Sequence, residues 1–153
     1  MKDEDYMRLA LSSAKSHGLE VPVGALVVNN RGDVIGPHSN LRGSELGILG
    51  HAEIFSINEA LRTLNRRNLR DHTIFVTLEP CPMCAFAISQ ARLSRVVFGA
   101  YDERYGSAGS RYDLIRDKEI GPKIEVVGGV LLQECEELLT DFFSALRSRR
   151  RNG

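Results

Sequence analysis

The stretch "HTIFVTLEPCPMCAFAISQARL" (residues 72–93) decides the architecture. HTIFVTLE is a β-branched run of strand length. CPMCAFAISQARL, directly behind it, is apolar over a length that suits a helix. The switch falls on Glu79-Pro80-Cys81, and the two cysteines Cys81 and Cys84 stand one helical turn apart just beyond it.

Working outward, the same alternation returns. DEDYMRLALSSAKSHG is helical, with Tyr6, Leu9, Ala10 and Ser13 at helical spacing, acidic residues in its first turn and Gly18 as a stop. GALVVNNRGDVIG reads as two strands around a turn at Asn30-Arg31-Gly32. LRGSELGILG makes a loop, and HAEIFSINEALRTLNR a helix with Ile54, Ile57 and Leu61 on one face. Beyond the central stretch come the short apolar strand SRVVFGA, a long polar loop, the strand KIEVVGG and a final helix LLQECEELLTDFFSALRSRR. Strands alternating with helices predict an α/β sheet covered on both faces. Ligands of such sheets collect where strands end and helices begin.

Composition bounds the function. A chain of 153 residues, 42% hydrophobic and 26% charged, suits one compact domain spanning residues 1–153. No repeat or linker divides it. There is no signal or transit pattern, and no apolar run nears the roughly 18 residues that cross a membrane. Three cysteines, an odd number, argue against a disulfide framework and for a reducing cytoplasm. The formal net charge is zero, which excludes a protein that coats nucleic acid by bulk attraction. Any polynucleotide must be met by local patches. The obvious one is LRSRRRNG, with Arg147, Arg149, Arg150 and Arg151, which reads equally well as a solvated, frayed end.

Cys81-Pro-Met-Cys84 alone is ambiguous. At i and i+3 in a first helical turn both sulfurs can converge on one point, and the positive helix end favours thiolate. That fits a redox pair or half of a zinc site. His51-Ala52-Glu53 shifts the balance, because it too opens a helix after a strand-and-loop segment and so belongs at the same sheet edge. One imidazole and two thiolates make a three-ligand zinc site with its fourth position open to water. Such a site is formally uncharged, which favours a lowered water pKa. Glu53, beside a ligand without being one, can carry the proton. H-x-E followed by P-C-x-x-C is the signature of zinc-dependent nucleobase deaminases, and HAE…PCPMC matches it in order and identity.

Other residues have plainer readings. A structural zinc site would need a fourth ligand from His38, His72 or Cys135, none of them in a paired spacing. Cys135 reads as a small core residue. His17 and His72 read as boundary residues, Glu79 as a structural support, and Phe142 and Phe143 by default as helix core.

With these motifs in view, the chain resembles the cytidine/deoxycytidylate deaminase superfamily, and within it the bacterial tRNA-specific adenosine deaminases (the TadA family). The likeness runs from about Tyr6 to Arg150. It rests on EVPVGALVV, HAEI, TLEPCPMCAFAI, RVVFGAYDERYGSAGS and LLTDFF. The resemblance implies a three-layer α/β/α sandwich around a central mixed five-stranded sheet. It implies zinc held by His51, Cys81 and Cys84, with Glu53 as the proton shuttle, and hydrolysis of adenosine to inosine at the wobble position of a tRNA. By match, Asn40 would hydrogen-bond the target base. Asp102 would lie near the flipped nucleotide's neighbour and Phe143 beside the anticodon loop. Members of the family are homodimers whose tRNA site uses both subunits. Candidate RNA-contacting cations are Arg104, Arg147, Arg149 and Arg150.

Two departures stand out: "GILG" precedes His51 where the family often has a polar "DPTA", and Tyr101 occupies a position that is often basic. Two rivals follow. The same zinc chemistry could act on guanine, cytosine or a deoxycytidine nucleotide, since EPCPMC occurs in such relatives; the GAYDERYGSAGS loop and basic tail argue against it. A non-catalytic zinc module would typically lack Glu53. A riboflavin-pathway deaminase spaces its cysteines more widely.

Overall fold

The computed structural model describes residues 1–15 and 18–152. Its α-helices and strands follow in the order α1 (Asp3–Ala14), β1 (Gly24–Val28), β2 (Val34–Ser39), α2 (Ala52–Thr63), β3 (Thr73–Leu78), α3 (Pro82–Gln90), β4 (Arg95–Ala100), β5 (Glu125–Val127) and α4 (Leu132–Asn152). His17 lies outside the described residues.

The five strands form one sheet in the order β2-β1-β3-β4-β5. β1 runs antiparallel to β2 and β3, whereas β3, β4 and β5 are parallel, so the sheet is mixed as expected. The β1–β2 hairpin turns on Asn29, whose Oδ1 accepts the N–H groups of Arg31 and Asp33 at 2.9 Å each. Gly32 supplies the positive φ of +89° that the turn requires.

Period-2 alternation divides the core into two layers. Ala25, Val27, Ile74, Val76, Val96 and Phe98 face α2 and α3, packing on Ala52, Ile57, Ala85 and Ile88. Leu26, Val28, Phe75 and Val97 face the other way, onto Tyr6, Met7, Ala10 and Leu11 of α1 and Cys135 of α4. Phe75 and Phe98 are buried on opposite faces, and each contributes roughly 1.5–3 kcal/mol by leaving water. The result is the expected three-layer sandwich.

Several local expectations shift. The buried stripe of α1 is Tyr6, Met7, Ala10, Leu11 and Ala14, while Leu9 is exposed and Ser13 Oγ donates back to the Leu9 carbonyl. α2 buries Ala52, Glu53, Ser56, Ile57 and Ala60, leaving Ile54 and Leu61 only half-buried. KIEVVGG contracts to the three-residue edge strand β5. α4 lies on the surface with only Cys135 buried, so Phe142 and Phe143 are not core residues. Cys135 itself is buried as expected, and burial pushes its thiol up to about 12.

The N-terminus of α1 is tied to the middle of the sheet. Arg95 on β4 donates to Asp3 through two nitrogens, at 2.8 and 2.6 Å, and approaches Glu125 of β5 at 3.4 Å.

Candidate active site

Register places four chain segments at one sheet edge. Gly24 at the start of β1 pairs with Ser39 at the end of β2, and Ala25 pairs with Val76 near the end of β3. Leu78 at the end of β3 pairs with Ala100 at the end of β4. The segments leaving β2, β3 and β4 therefore emerge side by side, where α/β sheets hold ligands.

α2 and α3 both begin here. His51 is the N-cap of α2 and Cys81 the N-cap of α3, each in extended backbone. Pro82 follows Cys81 at the first helical position, where a missing N–H costs nothing and the fixed φ suits the helix. Cys84, one turn on, brings its sulfur back beside that of Cys81. The His51 Nδ1 lies 3.7 Å from Cys81 Sγ and 3.5 Å from Cys84 Sγ. All three donor atoms fall within 4.8 Å of one another.

This spacing fits zinc. With metal–ligand bonds of about 2.0–2.3 Å at tetrahedral angles, an N-to-S edge should measure about 3.6 Å. Among the described residues no other group of three or more His, Cys, Asp and Glu side chains gathers this way. His38 instead pairs with Glu59 on α2, His72 Nδ1 bonds the Arg70 carbonyl at 2.8 Å, and Cys135 sits across the sheet. None of them supplies a fourth ligand, so the site keeps the open position of a catalytic centre.

The electrostatics agree with the donor set. A hydrogen bond from the Cys84 thiol, reinforced by His51, pulls the Cys81 thiol down to about 4. Cys84 moves the other way, because it donates to Cys81 and is buried. His51 is raised, chiefly by its contact with Cys81. Glu53, buried beside the triad, is raised to about 6 by desolvation and contacts the Cys84 sulfur.

His51, Cys81 and Glu53 line a cleft of about 1160 Å³, with Cys84 buried beneath it. Asn40, Asp102, Arg104 and Phe143 also line it. Asn40 accepts the Ala52 N–H through Oδ1 at 2.9 Å and donates through Nδ2 to the Val21 carbonyl at 3.3 Å. Among the described residues its second Nδ2 hydrogen meets no acceptor, which leaves it a donor for a ligand. Asp102 Oδ1 accepts the N–H groups of Arg104 and Tyr105, and the Arg104 guanidinium lies 5.0 Å over the Tyr105 ring. Phe143 is 41% exposed and edge-packed on Phe142. Arg147, Arg149 and Arg150 are exposed near the end of α4 and do not line the cleft.

Sequence reasoning passed over the cleft residues Arg42 and Tyr105 and noted Tyr101 only as a departure. Arg42 follows Asn40 by two positions and opposes the rise of the His51 pKa. Tyr105 presents an exposed ring beside the cation of Arg104. Tyr101 packs edge-on against Phe98 with ring centroids 5.1 Å apart, so the position that is often basic in the resembled family is here a half-exposed aromatic wall. An arginine within a Gly-containing loop and tyrosines within a polar one were the available signals.

The model of the cytidine and deoxycytidylate deaminase zinc-binding region matches residues 1–100. The chain belongs to this family. Among its relatives, the tRNA-specific adenosine deaminase of Bacillus subtilis is 41% identical over 152 residues, covering 98% of this chain and 94% of its own. That of Haemophilus influenzae is 39% identical, covering 97% and 87%. A solved structure from a study of A-to-I editing by tRNA:A34 deaminases superposes with a TM-score of 0.83 at 36% identity, over 88% of this chain and 99% of that one. The guanine deaminase of Nitrosomonas europaea shares the fold, with a TM-score of 0.75 at 20% identity over 91% and 83% of the two chains. A zinc-binding family and a three-donor site with zinc spacing agree on the cofactor, Zn²⁺.

Proposed function

We propose that this chain hydrolyses the exocyclic amine of adenosine at the wobble position of a tRNA, giving inosine and ammonia. The observation that carries the reading is the His51–Cys81–Cys84 triad with buried Glu53 at a wide cleft. It stands in a chain that matches a tRNA-specific adenosine deaminase along nearly its full length. The whole chain, residues 1–153, works as one deaminase domain.

His51, Cys81 and Cys84 hold zinc, which when bound supplies the Lewis acidity that makes water nucleophilic near neutral pH. The adenine, flipped out of the anticodon loop, enters the cleft. Glu53, close to the triad yet outside the donor set, takes a proton from the attacking water and delivers one to the ring nitrogen. Water adds at C6; Glu53 then takes the proton of the new C6 hydroxyl and hands it to the amine, so that the C6–N bond breaks, ammonia leaves and the C6 carbonyl of inosine remains. Asn40 orients the base through its free Nδ2 hydrogen. Asp102 and Phe143 flank the neighbouring nucleotide and the loop, and Arg104 meets phosphate.

A cleft of about 1160 Å³ exceeds what one purine requires, which supports a loop of nucleic acid over a free base. The exposed apolar residues Ile48, Leu49 and Phe86 support a second copy as their cover, and we read the working form as a homodimer. Sedimentation should give twice the chain mass. Among the described residues no helix is long and apolar enough to cross a membrane, which is compatible with work in the cytoplasm beside tRNA.

The test is ammonia release from an anticodon stem-loop bearing A34, beside guanine and cytosine. Turnover on the stem-loop is expected. Rapid turnover of a free base with none on the stem-loop would replace this reading with the small-substrate one.

A further inference from the structure

Glu79 is 2% exposed, yet it lies between the strand that ends at Leu78 and the ligand Cys81. Its carboxylate reaches across to the loop after β4. Oε1 accepts the Asp102 N–H at 3.1 Å and the Ser110 hydroxyl. Oε2 accepts the N–H groups of Ala108 at 3.0 Å and Ser110 at 3.1 Å. A carboxylate offers about four lone-pair sites, so these four bonds fill it. Glu79 has no acceptor left for a substrate donor, although it borders the cleft.

The loop it holds carries Asp102, Arg104 and Tyr105 into that cleft. The neighbouring carbonyl of Pro80 accepts the Ser107 N–H at 2.8 Å, and the Glu79 N–H donates to Ala100 at 2.8 Å. Gly106 completes the fit, because a Cβ there would collide with the Asp102 carbonyl and the Glu79 carboxyl. The segment that leads into the metal ligand and the segment that lines the cleft are thereby fastened to each other by the Glu79 side chain together with these backbone bonds.

We propose that Glu79 is a positioning residue that fixes the 101–110 loop at a set distance from the His51–Cys81–Cys84 centre, and so sets affinity for the nucleotides flanking the target adenosine. The inference rests on the tRNA reading above. Glu79 acts through Asp102 and Arg104 and takes no part in proton transfer.

Glu79→Gln is nearly isosteric but turns an amide NH₂ toward N–H donors, so at least one loop bond becomes a repulsion. Gly106→Ala strains the same junction from the loop side, pressing on the Glu79 carboxyl while leaving residue 79 itself unchanged. Both variants should raise KM for an A34 stem-loop by about tenfold or more, the effect of losing a charge-assisted hydrogen bond, while kcat falls less than KM rises. In a Glu53→Ala background, where substrate is not consumed, stem-loop Kd by fluorescence anisotropy should rise by a similar factor. Zinc content should stay at the parent level. A general folding defect would lower the active fraction, and so kcat, at unchanged KM.

Unchanged KM and Kd in both variants, or loss of zinc in both, would overturn the proposal. The unmodified enzyme on the same stem-loop is the control. If it fails to deaminate, the tRNA reading falls; if it succeeds while the variants bind normally, only the role of Glu79 falls.

Discussion

Asn40 and Ala52 are joined by a 2.9 Å hydrogen bond from the Ala52 N–H to the Asn40 Oδ1. The residue expected to hold the base therefore also satisfies a free N–H at the start of the helix that presents His51 and Glu53. One side chain supports the site and lines its cleft.

The two roles separate by substitution. Asn40→Ala should cost about 1 kcal/mol of stability, as loss of a helix-start acceptor typically does, together with most of the turnover. Asn40→Asp keeps the acceptor and loses the Nδ2 donor. It should recover the part of the stability that rests on the Ala52 N–H and lose only the bond to the Val21 carbonyl, while turnover of the stem-loop falls. An Asn40→Asp enzyme with full activity would remove Asn40 from base recognition.

For the metal, about one zinc per purified chain is expected from the three-donor count. Cys84→Ser should lose most of it, measured by elemental analysis after dialysis. A fully loaded and active Cys84→Ser enzyme would sink the ligand assignment.

Glu53→Ala should lower kcat by about 10²- to 10⁴-fold, the usual contribution of a general acid–base group. Zinc should remain, because Glu53 lies outside the donor set. If the zinc leaves with the carboxylate, Glu53 is a ligand and the shuttle must be sought elsewhere.

Asp3 and Arg95 give a pH-dependent term. The hydrogen bond from Arg95 holds the Asp3 carboxyl below its usual range. A depressed carboxylate contributes stability that is complete above its unfolded pKa, near 3.9, and is lost as pH falls through the lower folded value. Both side chains are about one-quarter exposed, at 29% and 26%, so solvent screening limits the pair to about 1 kcal/mol. Urea unfolding of Asp3→Asn against the parent should show that gap near neutral pH and a narrower one at about pH 3. A gap that widens in acid would have the wrong sign for this pair.

The gathering of His51, Cys81 and Cys84 was legible because the motifs that carry it are local. H-x-E and P-C-x-x-C each lie within one helical turn, and the alternating elements placed both turns at the same sheet edge. The stripe of α1 was harder, since Leu9 and Leu11 are equally apolar and only packing against β1 and β3 chooses Leu11. The reach of Glu79 was out of view because its partners stand 23 to 31 residues away in a polar loop with no periodic pattern. Phe142 and Phe143 looked like core because they are large and helical. Yet α4 carries charge on most sides and lies along the surface, leaving Phe143 at the mouth of the cleft.

The C-terminal arginines pose the sharpest question, because they lie outside the cleft in a protein of zero net charge. α4 nonetheless connects them to it: Phe143 lines the cleft, and Arg147, Arg149 and Arg150 follow within two turns of the same helix. A stem-loop whose target base enters the pocket would carry its backbone along that helix. Replacing all three with serine should weaken stem-loop binding and flatten its dependence on salt. Each lost phosphate contact removes about 0.7 from the log–log slope for single-stranded RNA, or about 2 for three contacts. Zinc content and the salt-independent part of binding should not change. The measurement is stem-loop Kd across a salt series in the Glu53→Ala background. An unchanged slope would mean that these cations are a solvated helix end and that Arg104, with the cleft residues around it, carries the RNA contact.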